Sequence, residues 1–79
     1  MKKIIKMPKL SANMETGVLA AWSKQPGDTV KKGEVLFEVE TEKVVSEIEC
    51  IEDGILEEAF FEEGDEVKVD EIVAVLECE

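Results

Sequence analysis

The sequence predicts an all-β domain in which two antiparallel sheets, built from quasi-equivalent halves, pack face to face. Three observations lead there. The chain repeats itself: shifted by 37, residues 17–40 fall on 54–77 with eight identities, among them Gly17/Gly54, Leu19/Leu56, Gly27/Gly64, Asp28/Asp65, Val30/Val67 and Glu34/Glu71. Each half carries a Gly-Asp dipeptide, which is turn chemistry because glycine adopts positive φ at no steric cost. Finally, Val35-Leu36-Phe37-Glu38-Val39-Glu40 alternates with period two, placing Val35, Phe37 and Val39 on one face and Glu38 and Glu40 on the other.

Taken in order, strands are expected near 2–7, 17–23, 29–31, 35–40, 45–50, 54–60, 66–69 and 72–77. The stretch Val45–Cys50 alternates less cleanly, yet Glu47 and Glu49 still oppose Ile48 and Cys50. Leu56–Glu63 has apolar residues at helical spacing, but its repeat partner Leu19–Pro26 contains a proline and no helical stripe, so the repeat overrides the helix. The expected core is Val18, Leu19, Val30, Val35, Phe37, Val39, Ile48, Ile55, Leu56, Val67, Ile72, Val75 and Leu76, with Trp22 packing rather than binding a ligand.

At 79 residues the chain is expected to be a single domain, 1–79, too small for a deep enclosed active site. Twenty acidic residues against nine lysines give a formal charge of −11. Nucleic acids and phospholipid surfaces, both polyanionic, repel such a chain. A partner with a basic docking surface fits the charge, and so does plain solubility. No segment approaches the roughly 20 apolar residues of a membrane span, and Lys6 interrupts the opening isoleucines before they make a signal peptide. An intracellular location is expected. Cys50 and Cys78 suggest neither a disulfide framework nor a metal site, and the chain has no histidine. No catalytic triad, phosphate loop or paired-carboxylate pocket is visible.

The two halves meet at Thr41-Glu42-Lys43-Val44, a turn between flanking strands at one end of the sandwich. Lys43 is the only basic residue between Lys32 and Lys68, an interval holding fourteen carboxylates. Three readings compete: an ordinary surface lysine, a catalytic amine and a modification site. A catalytic lysine needs burial or a neighbouring cation to shed its proton, whereas the neighbours here are Glu40, Glu42 and Glu47. An exposed lysine on a rigid tip can instead enter another enzyme's active site and be acylated there. Composition alone does not separate the first reading from the third; the position at the junction of the repeat favours the third.

Met7-Pro8-Lys9-Leu10-Ser11 with Asn13-Met14 and Gly17, then Trp22, Pro26-Gly27-Asp28, Val30, Lys32 and Gly33, then Glu38-Val39-Glu40-Thr41-Glu42-Lys43, and finally Gly54 and Glu63-Gly64-Asp65 with Val67 and Val69, together resemble the lipoyl domains of 2-oxo acid dehydrogenase complexes. The likeness runs from about Ile4 to Leu76. It implies a flattened β barrel of two four-stranded sheets with pseudo-twofold symmetry, a barrel-sandwich hybrid. It implies lipoic acid attached covalently to Lys43, with Glu40, Thr41, Glu42 and Val44 forming the recognised hairpin, and with Gly33 and Gly54 shaping the domain near that hairpin. The family usually has Asp and Ala on either side of its lysine; Glu42 keeps the charge, and Val44 alters what a partner reads. Biotinyl carriers share the fold but flank their lysine with methionines, so the residues here argue against biotin.

The resemblance further implies a non-catalytic carrier, part of a dihydrolipoamide acyltransferase, in a 2-oxo acid or acetoin complex. Its partners are then a lipoate-attaching enzyme, a thiamine-dependent decarboxylase, an acyltransferase core that passes the acyl group to coenzyme A, and dihydrolipoamide dehydrogenase. The domain itself is expected to be monomeric, in the cytoplasm or the mitochondrial matrix. A docking loop is expected at Ser11–Thr16, with Ser11, Asn13 and Glu15 near Lys43. A biotin carrier of a carboxylase and an unmodified interaction module of the same fold are the alternatives.

Overall fold

A computed structural model describes residues 1–78. It contains eight strands: β1 (Lys2–Lys6), β2 (Thr16–Trp22), β3 (Thr29–Val30), β4 (Val35–Glu40), β5 (Val45–Glu49), β6 (Gly54–Ala59), β7 (Glu66–Lys68) and β8 (Ile72–Cys78). Each expected strand is present within about a residue or two of its expected bounds, the usual uncertainty of strand ends. Leu56–Ala59 is strand rather than helix, as the repeat requires. Two antiparallel four-stranded sheets form, ordered β1-β8-β6-β3 and β5-β4-β2-β7. The two orders interconvert when each strand is exchanged for the one four places along, so every sheet draws on both halves of the chain.

Hydrogen bonds reproduce the repeat in detail. The amide of Gly27 donates to Leu56 O and that of Gly64 to Leu19 O, both at 2.8 Å. Asp28 Oδ2 accepts from the Gln25 amide and Asp65 Oδ2 from the Glu62 amide, again both at 2.8 Å. Glu34 Oε1 accepts from Lys31 N at 2.8 Å, and Glu71 Oε1 from Lys68 N at 2.9 Å. The identities at Asp28/Asp65 and Glu34/Glu71 thus have a local cause: these carboxylates close the turns by accepting otherwise unpaired backbone N–H groups.

The strands depart from simple alternation through β-bulges. Register shifts bracket Ala20 on β2 and Glu57 on β6, and others bracket Leu36 on β4 and Val73 on β8. A bulge inserts one residue opposite none, so two neighbours can face the same side. Leu36 and Phe37 are accordingly both buried, as are Val73 and Ala74.

This corrects the expected core. Leu19, Val30, Phe37, Val39, Leu56, Val67 and Leu76 are fully buried. Val35 and Ile72, which strict alternation places inside, lie beyond the bulges; Val35 is half-buried and Ile72 is 43% exposed. Val18 and Ile55 each precede an inward leucine and so point outward, half-buried and 46% exposed respectively. Val75 is half-buried beside inward Leu76, and Ile48 is half-buried but packs against the core. The core also takes Ile5, Met7, Met14, Leu36, Cys50, Val73, Ala74 and Cys78. Both cysteines are free and buried. Trp22 packs as expected, its ring centroid 5.2 Å from that of Phe37 at an interplanar angle of 52°, with Nε1 donating to Phe61 O at 3.0 Å. The cross-strand pair Trp22–Phe37 stands in one sheet where the other has Ala59–Ala74. Large and small pairs at symmetry-related places keep the shared core filled without overpacking.

Candidate functional site

The last ladder pair of the β4–β5 hairpin is Glu40 with Val45. Beyond it the Thr41 amide donates to Val44 O at 2.9 Å, and Thr41 Oγ1 donates to the same carbonyl at 3.3 Å. Among the described residues the only non-glycine with positive φ is Asp70, so neither Glu42 nor Lys43 occupies the left-handed region. The tightest hairpin turns demand Asn or Gly at those positions; this one accepts any L residue, which is why a lysine can stand at its tip. Glu40, Glu42, Lys43 and Val44 are exposed and Thr41 half-buried. The ion pairs among the described residues join Met1 to Glu77, Lys2 to Glu57, Lys3 to Glu52 and Lys24 to Glu34, and none involves Lys43.

Against the hairpin lies the connection from β1 to β2. Together they line a cleft of about 810 Å³ that includes Ser11, Asn13 and Glu15 on one side and Glu40–Val44 on the other, with Glu66 at its edge. The structure therefore brings the expected loop residues beside Lys43. The Met14 amide donates to Ser11 O at 3.2 Å, a turn that holds Ser11, Ala12 and Asn13 out in solvent. Four carboxylates, Glu15, Glu40, Glu42 and Glu66, ring the cleft, while Leu10 and Val44, 38% and 54% exposed, give it apolar edges.

Gly33 and Gly54 are elsewhere. Gly33 N donates to Cys50 O beyond the far end of the β4–β5 ladder, and Gly54 pairs with Cys78. Five strand residues at about 3.3 Å each separate that end from the hairpin tip. The glycine beside the hairpin is Gly17, buried in the cleft floor and bounded by Val39, Met14 and Met7. Neither Met14 nor Met7 was in the expected core, yet both are buried. For Met7 the available signal was its spacing from Ile5: it directly follows β1 and continues that strand's inward parity.

The fold and the exposed hairpin lysine are those of a covalent carrier, and comparison with known proteins agrees. The family model described as biotin-requiring enzyme, which covers biotin and lipoyl attachment domains, matches residues 3–76, and the chain belongs to that family. Within it the chain is a lipoyl domain of the 2-oxo acid dehydrogenase type. It is 44% identical over 72 residues to the dihydrolipoyllysine-residue succinyltransferase component of the 2-oxoglutarate dehydrogenase complex of Bacillus subtilis, covering 91% of this chain and 17% of that protein. It is 49% identical over 72 residues to the dihydrolipoyllysine-residue acetyltransferase component 2 of the mitochondrial pyruvate dehydrogenase complex of Arabidopsis thaliana, covering 90% of this chain and 13% of that protein. The chain thus spans less than a fifth of the length of these relatives. The solved lipoyl domain of the 2-oxoglutarate dehydrogenase complex from Azotobacter vinelandii superimposes with a TM-score of 0.80 at 36% identity, over 94% of both chains.

Proposed function

We propose that Lys43 carries lipoic acid in amide linkage and that the domain shuttles acyl groups among the active sites of a 2-oxo acid dehydrogenase complex. The observation that carries this reading is the placement of Lys43: an exposed primary amine without an ion-pair partner among the described residues, at the tip of a hairpin fixed by two flanking strands. The residues present fit the group, because the tip is open to an attaching enzyme and nothing in the turn has to rearrange to free the amine. Acylation removes the lysine's charge. The attached dithiolane supplies the redox and acyl-carrying chemistry, and the protein supplies position and recognition.

The chain's own residues account for presentation. Thr41 locks the turn, and Glu40 and Glu42 keep the tip acidic, which favours partners with basic active-site mouths. Ser11, Asn13 and Glu15 stand across the cleft as contacts for the decarboxylase that loads the arm. Cys78 N donates to Met1 O at 2.7 Å at the end away from Lys43, so polypeptide joined at either terminus leaves the lysine end unobstructed. Tethering then converts each transfer into an intramolecular encounter with a high effective concentration. The domain acts as a carrier within a transferase component, alongside the acyltransferase core and dihydrolipoamide dehydrogenase.

The test is transfer itself. With a thiamine-dependent decarboxylase and its labelled 2-oxo acid, the lipoylated chain should become acyl-labelled, and the Asn13→Ala/Glu15→Ala double variant should load more slowly at equal modification. Unchanged loading of that variant removes the docking role from the loop.

A further inference from the structure

The pseudo-twofold symmetry supplies an internal control for every corner of the molecule, and one corner breaks it. Between β5 and β6 the chain turns in four residues, Cys50–Asp53. The equivalent connection between β1 and β2, beside Lys43, takes nine, Met7–Glu15. Its first residue still obeys the symmetry: Met7 N donates to Glu71 O at 2.9 Å where Cys50 N donates to Glu34 O at 2.7 Å. Counted between the equivalent pairs Met7/Cys50 and Gly17/Gly54, nine residues stand at the lysine end where three suffice at the other, so the six extra residues answer to something other than folding.

Those extra residues are held chiefly by one side chain. Of Ser11–Glu15, only Met14 is buried, at 8% exposure. Its sulfur accepts the Leu10 amide at 3.1 Å, and its amide closes the turn from Ser11. Its methyl group lies over Gly17: a Cβ there would meet Met14 Cε at 2.9 Å and Val39 Cγ1 at 2.7 Å. The equivalent Gly54 is required for a different reason, because a Cβ there runs into the backbone of Glu77. Gly54 serves strand packing, whereas Gly17 makes room for side chains. Val39, on the other side of the same seat, immediately precedes Glu40 and the lysine hairpin.

We propose that Met14, seated over Gly17 against Val39, is a positioning residue that sets the docking loop at a fixed place relative to Lys43. This rests on the carrier reading for its functional consequence but not for its geometry. A methionine suits the task because its flexible thioether fills an irregular gap while still accepting a weak hydrogen bond. Asn13 and Glu15 flank it, so its placement fixes where both contact groups stand when a partner takes the lysine.

The experiment compares Gly17→Ala, Met14→Ala and the double variant, each lipoylated on Lys43, with the unaltered chain. The amide resonances of residues 10–15 and 40–44 should shift together in both single variants, with the other strands unmoved. In reductive acylation by the decarboxylase, KM should rise about three- to tenfold with kcat nearly unchanged, the signature of lost recognition rather than lost chemistry. Once Met14 is gone the seat is empty, so the double variant should load no worse than Met14→Ala alone. If Met14→Ala does not fold, Met14→Leu, which keeps the bulk but loses the sulfur that accepts the Leu10 amide, should still shift the resonances of residues 10–15 and raise KM, while its combination with Gly17→Ala, in a seat that stays filled, should load worse than Met14→Leu alone. Losses that multiply in the double variant, an unchanged KM, or resonance shifts that leave the loop untouched would each overturn the proposal. Failure of the unaltered lipoylated chain to load refutes the carrier reading instead, and the resonances still decide the geometry.

Discussion

Gly33 and Asp70 occupy the same left-handed turn position in the two halves of the molecule, at φ 92° and 73°, and only one of them is glycine. Gly33 N donates to Cys50 O at 2.9 Å, and Asp70 N donates to Met7 O at 3.0 Å. An L side chain in this region is strained, though aspartate tolerates it better than most. Asp70→Gly should therefore raise stability by about 0.5–1 kcal/mol, and Gly33→Ala should lower it by roughly 1–2 kcal/mol. Chemical denaturation of both variants checks this; a destabilised Asp70→Gly would show that its side chain does more than endure the turn.

Phe37 and Phe60 make a second contrast. Phe37 is fully buried against Trp22, whereas Phe60 is 51% exposed just past the end of β6, where the symmetry-related residue is Ser23. Phe37→Ala should cost about 3–5 kcal/mol, the usual toll for an aromatic core cavity. Phe60→Ser, which copies the other half, should cost under about 1 kcal/mol. Comparable losses in the two would mean that Phe60 is structural despite its exposure.

The acid limb of stability should depend on Glu34. Its carboxylate accepts the Lys31 amide at 2.8 Å and, secondarily, pairs with Lys24 at 3.4 Å, which holds it below the ordinary carboxylate value of 4.5. A depressed folded-state pKa stabilises above the unfolded value, and that contribution disappears as pH falls through the folded one. Glu34→Gln should flatten the fall of the unfolding midpoint below about pH 4.5. An unaltered acid limb in the variant would contradict this.

Burial, reinforced by the nearby Glu52 carboxylate, pushes the Cys78 thiol up. A thiolate is the reactive form. Cys78 should resist thiol reagents at neutral pH in the native protein and react at the ordinary rate once it is unfolded. Fast native labelling would place the end of β8 outside the core.

Much of this architecture was legible because the sequence states each half twice. Glu40–Val45 could be recognised as a hairpin, and Lys43 as its tip, from the point where the repeat turns over. The bulges at Leu36 and Val73 were not legible, since a bulge is a relation between two strands and leaves no period in either. That is why Val35 and Ile72 were expected inside and Leu36 and Val73 were not. The same limit hid the cleft: Gly17 and Met14 lie in adjacent stretches, but only tertiary packing shows that Val39 closes the seat between them. The family resemblance placed Gly33 and Gly54 near the hairpin, and the length of β4 and β5 carries them to the far end.

The most direct test is the intact mass of the chain made in cells supplied with both lipoate and biotin, with peptide mapping around Lys43. A lipoyl increment confined to Lys43 and lost in Lys43→Ala is the expected result. A biotinyl increment, or no increment in cells with competent attaching enzymes, would contradict it.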